Sequence, residues 1–380
     1  MIPPAPLQPN PPQKIYVWDW ATRIFHWSLV TLVLFAALTG WVGPEWMLGL
    51  HATAGYIIAA LLAWRLVWGF YGPETSRFGQ FVRPWQEVWH HILSVLRGRP
   101  AWHVGHNPAG GWMIVALLVT LWLILITGLI ALGGEEKRGV LAGMFSYSVG
   151  HMAKEVHEGL VSFLFVLVPV HVGGVLVESL LSRENLVRSM ITGYKSLPAQ
   201  HPMPVLAGSR PLWAFGWMAL LVWAVTSWSS GADQLPPSQW RPLSMPDSYK
   251  SACGECHWSF HPSLLPNSSW QFMLSNLNDH FGDDATLDGQ SLQQVGEFLN
   301  ANASHTWDTE AANRFRKVSA TDPSRITATS FWRKKHRAFS DETFSNKAVA
   351  SKINCPACHR DADNGRFDDH AIELPKEIRL

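Results

Sequence analysis

All four cysteines of the chain fall into two copies of one pattern, Cys253-Gly-Glu-Cys256-His257 and Cys355-Pro-Ala-Cys358-His359. This spacing is the attachment signature of c-type heme: the two thiols form thioethers with the porphyrin and the following imidazole reaches the iron. A Cys/His zinc site and a thioredoxin-like dithiol compete for the same residues, but the dithiol needs a βαβ context that the flanking sequence lacks. Two copies that use every cysteine predict two covalent c hemes.

A c heme that only passes electrons needs a sixth ligand, because an open position binds oxygen and other small ligands. The surrounding region offers His261, His280, His305, His336 and His370, with Met245 and Met273 as weaker donors. His261 is four residues from His257, too close to reach the opposite heme face easily. His280, in Asn278-Asp279-His280-Phe281-Gly282-Asp283-Asp284-Ala285, and His336, in Phe331-Trp332-Arg333-Lys334-Lys335-His336, are the predicted sixth ligands. The sequence leaves open which of them serves which heme.

A second set of histidines lies in segments almost free of charge. His26, His51, His157 and His171 sit in or at the ends of long apolar stretches, where an ionisable side chain is costly and usually functional. Fourteen residues separate His157 from His171, about 21 Å of helical rise and about 40° from sharing one face. Two ligands stacked along one helix suit two b hemes at two depths. His51 and His157 open their spans from the same side, so they are assigned to an outer b heme, and His26 and His171 to an inner one. His90, His91, His103, His106, His151 and His201 fall in loops or span ends and are expected to be solvated or interfacial. Arg65 is expected to snorkel to the inner headgroups.

The elements that must hold these residues differ sharply between the two parts of the chain. The first 232 residues carry 14 Lys/Arg, 10 Asp/Glu and 16 of the 21 Trp, whereas the last 148 carry 16 basic and 19 acidic residues. Five apolar stretches, 25–42, 51–72, 110–132, 159–177 and 211–232, each approach the ~20 residues that cross a bilayer. Only Arg65 interrupts them with charge. The Trp are read as interfacial anchors, and Pro169 as a potential kink in the fourth span.

Lys14, Arg23, Arg77, Arg83, Arg97, Arg99, Arg183, Arg188, Lys195 and Arg210 flank one side of these spans. The opposite side has only Lys137, Arg138 and Lys154, offset by Glu135, Glu136 and Glu155. The positive-inside rule puts the N-terminus in the cytoplasm and delivers residues 233–380 to the periplasm. The expected layout is an all-α protein: 1–14 a disordered, proline-rich cytoplasmic lead; 15–200 a four-helix heme-b membrane domain; 201–232 a fifth, tethering span; and 233–380 a small, mostly helical periplasmic domain. The near balance of charge, +1 overall, argues against a nucleic-acid partner.

Trp18-Asp19-x3-Arg23-x2-His26-Trp27, His51-x3-Gly55-Tyr56, Asn107-Pro108-x-Gly110-Gly111-Trp112 and His157-Glu158 with His171 together resemble the prokaryotic cytochrome b561 family, which includes the cytochrome b subunits of nickel-iron hydrogenases. The resemblance covers about residues 15–195 and implies a diheme four-helix bundle in a bacterial inner membrane. The C-terminal part, with its two Cys-x-x-Cys-His sites and the segment 280–285, resembles the small diheme cytochrome c family. That resemblance implies bis-histidine c hemes, and an oxygen-binding monoheme cytochrome c as a candidate periplasmic acceptor. Fusion departs from the single-domain form of both families.

The reading reached from sequence is a transmembrane electron conduit. Membrane quinol would be oxidised at the b domain, with electrons passing over two b hemes and two c hemes to a periplasmic acceptor, a quinol:cytochrome c-type oxidoreduction. One alternative is a superoxide oxidase that reduces quinone, fed by a positive approach from Lys137, Arg138 and Lys154. Another is a hydrogenase-type cytochrome b subunit, and a third a ligand-binding or sensing c heme. No dinucleotide motif, flavin signature or catalytic triad stands out, so no catalytic side chain is assigned.

Overall fold

The computed structural model describes residues 13–197, 211–233, 243–318 and 321–378. Among these, long helices alternate with short connections. A strand, β1 (Gln13–Tyr16), leads into α1 (Trp20–Ala37), α2 (Leu48–Tyr71), a single helical turn α3 (Phe78–Phe81), α4 (Trp85–Leu96), α5 (Pro108–Gly134), α6 (Tyr147–Ser182) and α7 (Leu186–Thr192). A second strand, β2 (Tyr194–Leu197), precedes α8 (Pro211–Asp233). The remainder is built from short helices: α9 (Asp247–Cys253), α10 (Asn267–Leu274), α11 (Gly289–Asn302), α12 (Glu310–Phe315), α13 (Ser330–Lys335) and α14 (Asp341–Ser345).

Four helices are long and apolar enough to cross a membrane: Trp20–Val42, Leu48–Tyr71, Pro108–Gly134 and Tyr147–Ser182. The first includes a π-helical turn, Leu38–Val42, that continues α1. α6 runs for 36 residues with Pro169 inside it. α8 spans 23 residues and carries no charge before its last, Asp233.

The chain forms two compact units. The first comprises Met1–Gly43, Leu50–Gly128 and Glu155–Gly231. Its core is Phe25 of α1, Ile58, Leu61, Leu62 and Trp64 of α2, Leu118, Leu121 and Leu125 of α5 and Leu164 of α6, with Ala214 and Met218 of α8 packed among them. Trp64 also donates its indole N–H to the carbonyl of Ala214 at 3.2 Å, which ties α8 into this core.

β1 and β2 pair antiparallel, Gln13 opposite Leu197 and Tyr16 opposite Tyr194, over a small core of Ile15, Val17, Trp18 and Leu197. Gln13 and Lys14 are thus strand residues, which shortens the expected disordered lead; the rest of that lead lies outside the described residues. This two-stranded ribbon was hidden from sequence because its strands are four residues long and separated by 177 residues, and each alone carries no alternating signal.

Two further expectations are corrected here. Arg65 does not snorkel: it is buried, donates to the carbonyl of Ser76 at 3.1 Å and lies over the ring of Phe78 at 4.9 Å. The carbonyl of Ser76, beyond the end of α2, holds Nη2 inside the unit, while Nη1 is buried without a hydrogen-bond partner among the described residues. His91 is likewise buried rather than solvated, because α4 turns it toward Glu178, with Nε2 3.5 Å from Oε2. His201 lies outside the described residues.

The second unit comprises Pro44–Gly49, Leu129–Lys154 and Ala232–Leu380. Tyr249 of α9, Leu265, Trp270 of α10, and Val295 and Leu299 of α11 form its main core. A smaller cluster gathers Leu264, Ala311 and Phe315. The predicted lack of alternating strands in this region holds among the described residues, where the only pairings are isolated bridges, His280 with Asp283 and His359 with Ile372.

Candidate functional site

In the first unit, His51 near the start of α2 and His157 of α6 face one another with ring centroids 6.1 Å apart. His51 Nδ1 lies 2.9 Å from the carbonyl of Ala36, and His157 Nδ1 lies 2.9 Å from that of Ile124. A carbonyl only accepts, so each Nδ1 carries the proton, and each Nε2 keeps its lone pair for a metal.

Both rings are seated against glycine. A Cβ at Gly40 would stand 2.8 Å from the His51 ring, and one at Gly128 would stand 3.1 Å from the His157 ring. Gly40 lies in the π-helical turn, and such turns concentrate at functional positions. His26 and His171 lie close enough to interact electrostatically, and His26 Nδ1 is buried with no hydrogen-bond partner.

In the second unit the two Cys-x-x-Cys-His motifs each meet one of the predicted partners. His257 and His280 have ring centroids 6.1 Å apart, and His336 and His359 6.2 Å apart. The sequence left this pairing open because it depends on how the loops close. His280 is presented by a tight turn in which Phe281 and Gly282 are both left-handed, closed by the amide of His280 donating to Asp283 at 2.7 Å. His336 ends α13, whose N-cap Thr329 accepts from the amide of Trp332. Nδ1 of His257 bonds the carbonyl of Trp258 at 2.8 Å, and Nδ1 of His336 bonds that of Trp332 at 2.9 Å.

None of the four cysteines is joined in a disulfide. Burial pushes the Cys253 thiol up to about 11 and the Cys355 thiol up to about 12, so neither resembles a reactive thiolate. Among the described residues no three His, Cys, Asp or Glu converge as metal ligands.

Three imidazole pairs share one separation. Two metal–nitrogen bonds of about 2 Å each, plus the half-widths of two rings, require centroids about 6 Å apart. The donor set, the spacing and the fixed tautomers therefore fit hexacoordinate heme iron.

His261 is not part of either pair. It is fully buried, its Nδ1 2.8 Å from Ser263 Oγ and its ring edge-on to Trp307, as its short distance from His257 led one to expect.

The cations that would have drawn superoxide are engaged. Lys137 bonds Asp308 at 2.6 Å, Arg138 bonds Asp368 at 2.7 Å, and Lys154 lies 3.5 Å from Glu135. Burial first, with the carboxylates of Asp369, Glu310, Asp368 and Glu135 around it, raises the Glu136 carboxyl well above the ordinary range. Asp369 is pushed up to about 7, mainly by burial, against the opposing charge of Lys335.

Residues 17–193 match the family described as prokaryotic cytochrome b561, and residues 249–367 match dihaem cytochrome c. The chain joins a cytochrome b561 domain to a dihaem cytochrome c domain. The b561 domain carries b-type heme and the c domain two c-type hemes.

Curated relatives of the b561 domain include a probable Ni/Fe-hydrogenase B-type cytochrome subunit of Rhizobium leguminosarum, 27% identical over 48% of this chain and 88% of its own length. Another, from Escherichia coli K12, is 28% identical over 48% of this chain and 90% of its own. The c domain is similar to a diheme cytochrome c of Shewanella baltica, with 29% identity, 35% of this chain, 96% of that chain and a TM-score of 0.28. It is also similar to the diheme cytochrome c of Rhodobacter sphaeroides, with 31% identity, 33% of this chain, 100% of that chain and a TM-score of 0.29.

Proposed function

We propose that this protein carries electrons from membrane quinol, through the b561 domain and the c domain, to a periplasmic acceptor protein. The reading rests above all on the imidazole pairs, each separated by the span of a bis-histidine iron, with Nδ1 of four rings fixed by backbone carbonyls. When bound, heme supplies one-electron redox chemistry; the protein supplies ligands, spacing and dielectric.

In this reading His51 with His157 holds an outer b heme and His26 with His171 an inner one. Cys253, Cys256, His257 and His280 hold one c heme, and Cys355, Cys358, His336 and His359 the other. The N-terminus is cytoplasmic, the bacterial inner membrane is crossed five times with α8 as the last span, and the c domain is periplasmic. Covalent linkage keeps the two domains at high effective concentration.

The test is anaerobic stopped-flow mixing of the oxidised holoprotein with a ubiquinol analogue, following the b and c absorption bands separately. Reduction of b followed by c is expected. Quinol that leaves both oxidised, while superoxide reduces the b bands, would replace the conduit with a superoxide oxidase.

The names of the curated relatives support a second reading, in which the b561 domain collects electrons from a hydrogenase. Hydrogen-dependent reduction of the b bands in membranes containing a hydrogenase, absent from membranes lacking one, would favour it.

A further inference from the structure

The stretches of chain that hold the two c sites carry opposite net charge. Residues 247–288, which contain His257 and His280, hold six acids and one base, a net of −5. Residues 330–360, which contain His336 and His359, hold seven bases and two acids, a net of +5.

The basic window is in part occupied by its own unit. Lys335, next to His336, bonds Glu45 at 2.7 Å and approaches Glu310 at 3.8 Å. Glu45 belongs to the connection between α1 and α2, and lies six residues before His51 in the chain. The connection between α5 and α6 is anchored in the same unit, Lys137 to Asp308 and Arg138 to Asp368. The connection before α2 is therefore fastened to the basic window through Lys335, and the connection before α6 to Asp308 and Asp368 of the same unit.

The acidic window has no such cover. The carboxylates of Asp247, Glu255 and Asp283 are exposed and make no side-chain hydrogen bond or ion pair among the described residues. Phe272 and Phe281 of the same window are about half exposed, with the Arg325 guanidinium over the Phe281 ring at 4.5 Å. Exposed carboxylates among apolar side chains make a surface that attracts an opposite charge from a distance and then packs against it.

We propose that the His257/His280 site is where electrons leave the protein, across this acidic face, to a redox protein that presents a basic face. The proposal takes its direction of flow from the conduit reading, and makes the His336/His359 site the one that receives electrons from the b561 domain. One electron leaves per encounter, and the acceptor's metal goes from its oxidised to its reduced form.

The first test involves no electron flow. Calorimetric titration of the oxidised, detergent-solubilised full-length holoprotein with oxidised mitochondrial cytochrome c, a strongly basic probe, should show binding at low ionic strength that salt abolishes. Glu255→Lys and Asp283→Lys should each weaken it about tenfold. Asp247→Lys, outside the heme-attachment motif, is a further variant, and unchanged heme spectra certify each protein.

Kinetics follow on protein loaded with dithionite, which bypasses the quinol. Electron delivery is read from loss of the probe's methionine–iron band, which bis-histidine hemes lack. The acidic-window variants should slow delivery to cytochrome c about tenfold at low salt without slowing delivery to ferricyanide, a small anion. Arg337→Glu and Lys347→Glu, in the basic window, should change neither by more than about twofold.

The proposal is overturned if the acidic variants leave binding and its salt dependence intact, or if the basic-window variants carry that dependence. A failure of quinol oxidation leaves all of these readouts unaffected, so the two readings fail separately.

Discussion

At Nδ1 of His51, His157, His257 and His336, a main-chain carbonyl sets the tautomer that a carboxylate sets in many metalloproteins, and does so without bringing a second charge into an apolar site. The arrangement costs space, which the glycines provide. A valine at Gly40 would have to displace the His51 ring, whose nearest atoms stand 2.8 Å from the position of its Cβ. Gly40→Val should therefore lower b-heme content by about half in a pyridine hemochrome assay with c content unchanged, provided outer and inner b hemes load independently. Loss of a sixth ligand has a different signature. His336→Ala should keep its c heme covalently attached, turn it high-spin, and make the reduced protein bind carbon monoxide where the parent does not. A reduced His336→Ala protein that stays low-spin and ignores carbon monoxide would show that another side chain ligates this heme.

The connections between helices carry the less visible part of the design. Asp369 is raised to about 7, with Lys335, Glu45, Glu310 and Lys154 facing it, so the folded state holds a proton that the unfolded chain releases near pH 4. Such a group contributes stability at low pH that is lost as pH rises through about 7. The thermal midpoint of the c-domain transition should thus be higher at pH 6 than at pH 8, and Asp369→Asn should flatten that difference; a midpoint indifferent to pH in both proteins would refute the assignment. These connections were nearly illegible in the sequence. Glu135, Glu136, Lys137 and Arg138 read there as a loop whose charges cancel, because nothing local shows that Glu135, Lys137 and Arg138 find Arg314, Asp308 and Asp368, more than 150 residues away. The apolar stretches were legible, since a long charge-free run admits few other folds. Arg65 and His91 misled because burial is decided by the neighbours Ser76 and Glu178, not by a residue's own chemistry.

For the whole molecule, the reading of two b and two c hemes is open to a single count. Pyridine hemochrome analysis of the purified protein should return equal amounts of the two types, and acid-acetone extraction should remove only half of the total heme, the c half remaining on the chain. A ratio of one b to two c would leave one membrane histidine pair as packing. The Cys-x-x-Cys-His pairs were plain from spacing alone, as were the four membrane histidines from their cost in an apolar setting. What spacing could not show was the matching of His280 to His257 and of His336 to His359. That matching depends on a left-handed turn at Phe281 and on the position of α13, both consequences of tertiary packing.

The opposed charge windows also give the c domain two stretches of opposite sign, although its net charge is small. On an electrode the protein should therefore choose its own orientation. An amine-terminated surface would hold the acidic window and sit beside the His257/His280 heme, whereas a carboxylate-terminated surface would hold the basic window and sit beside the other. Voltammetry on the two coatings would then address the c hemes one at a time, giving a separate potential for each from a single preparation.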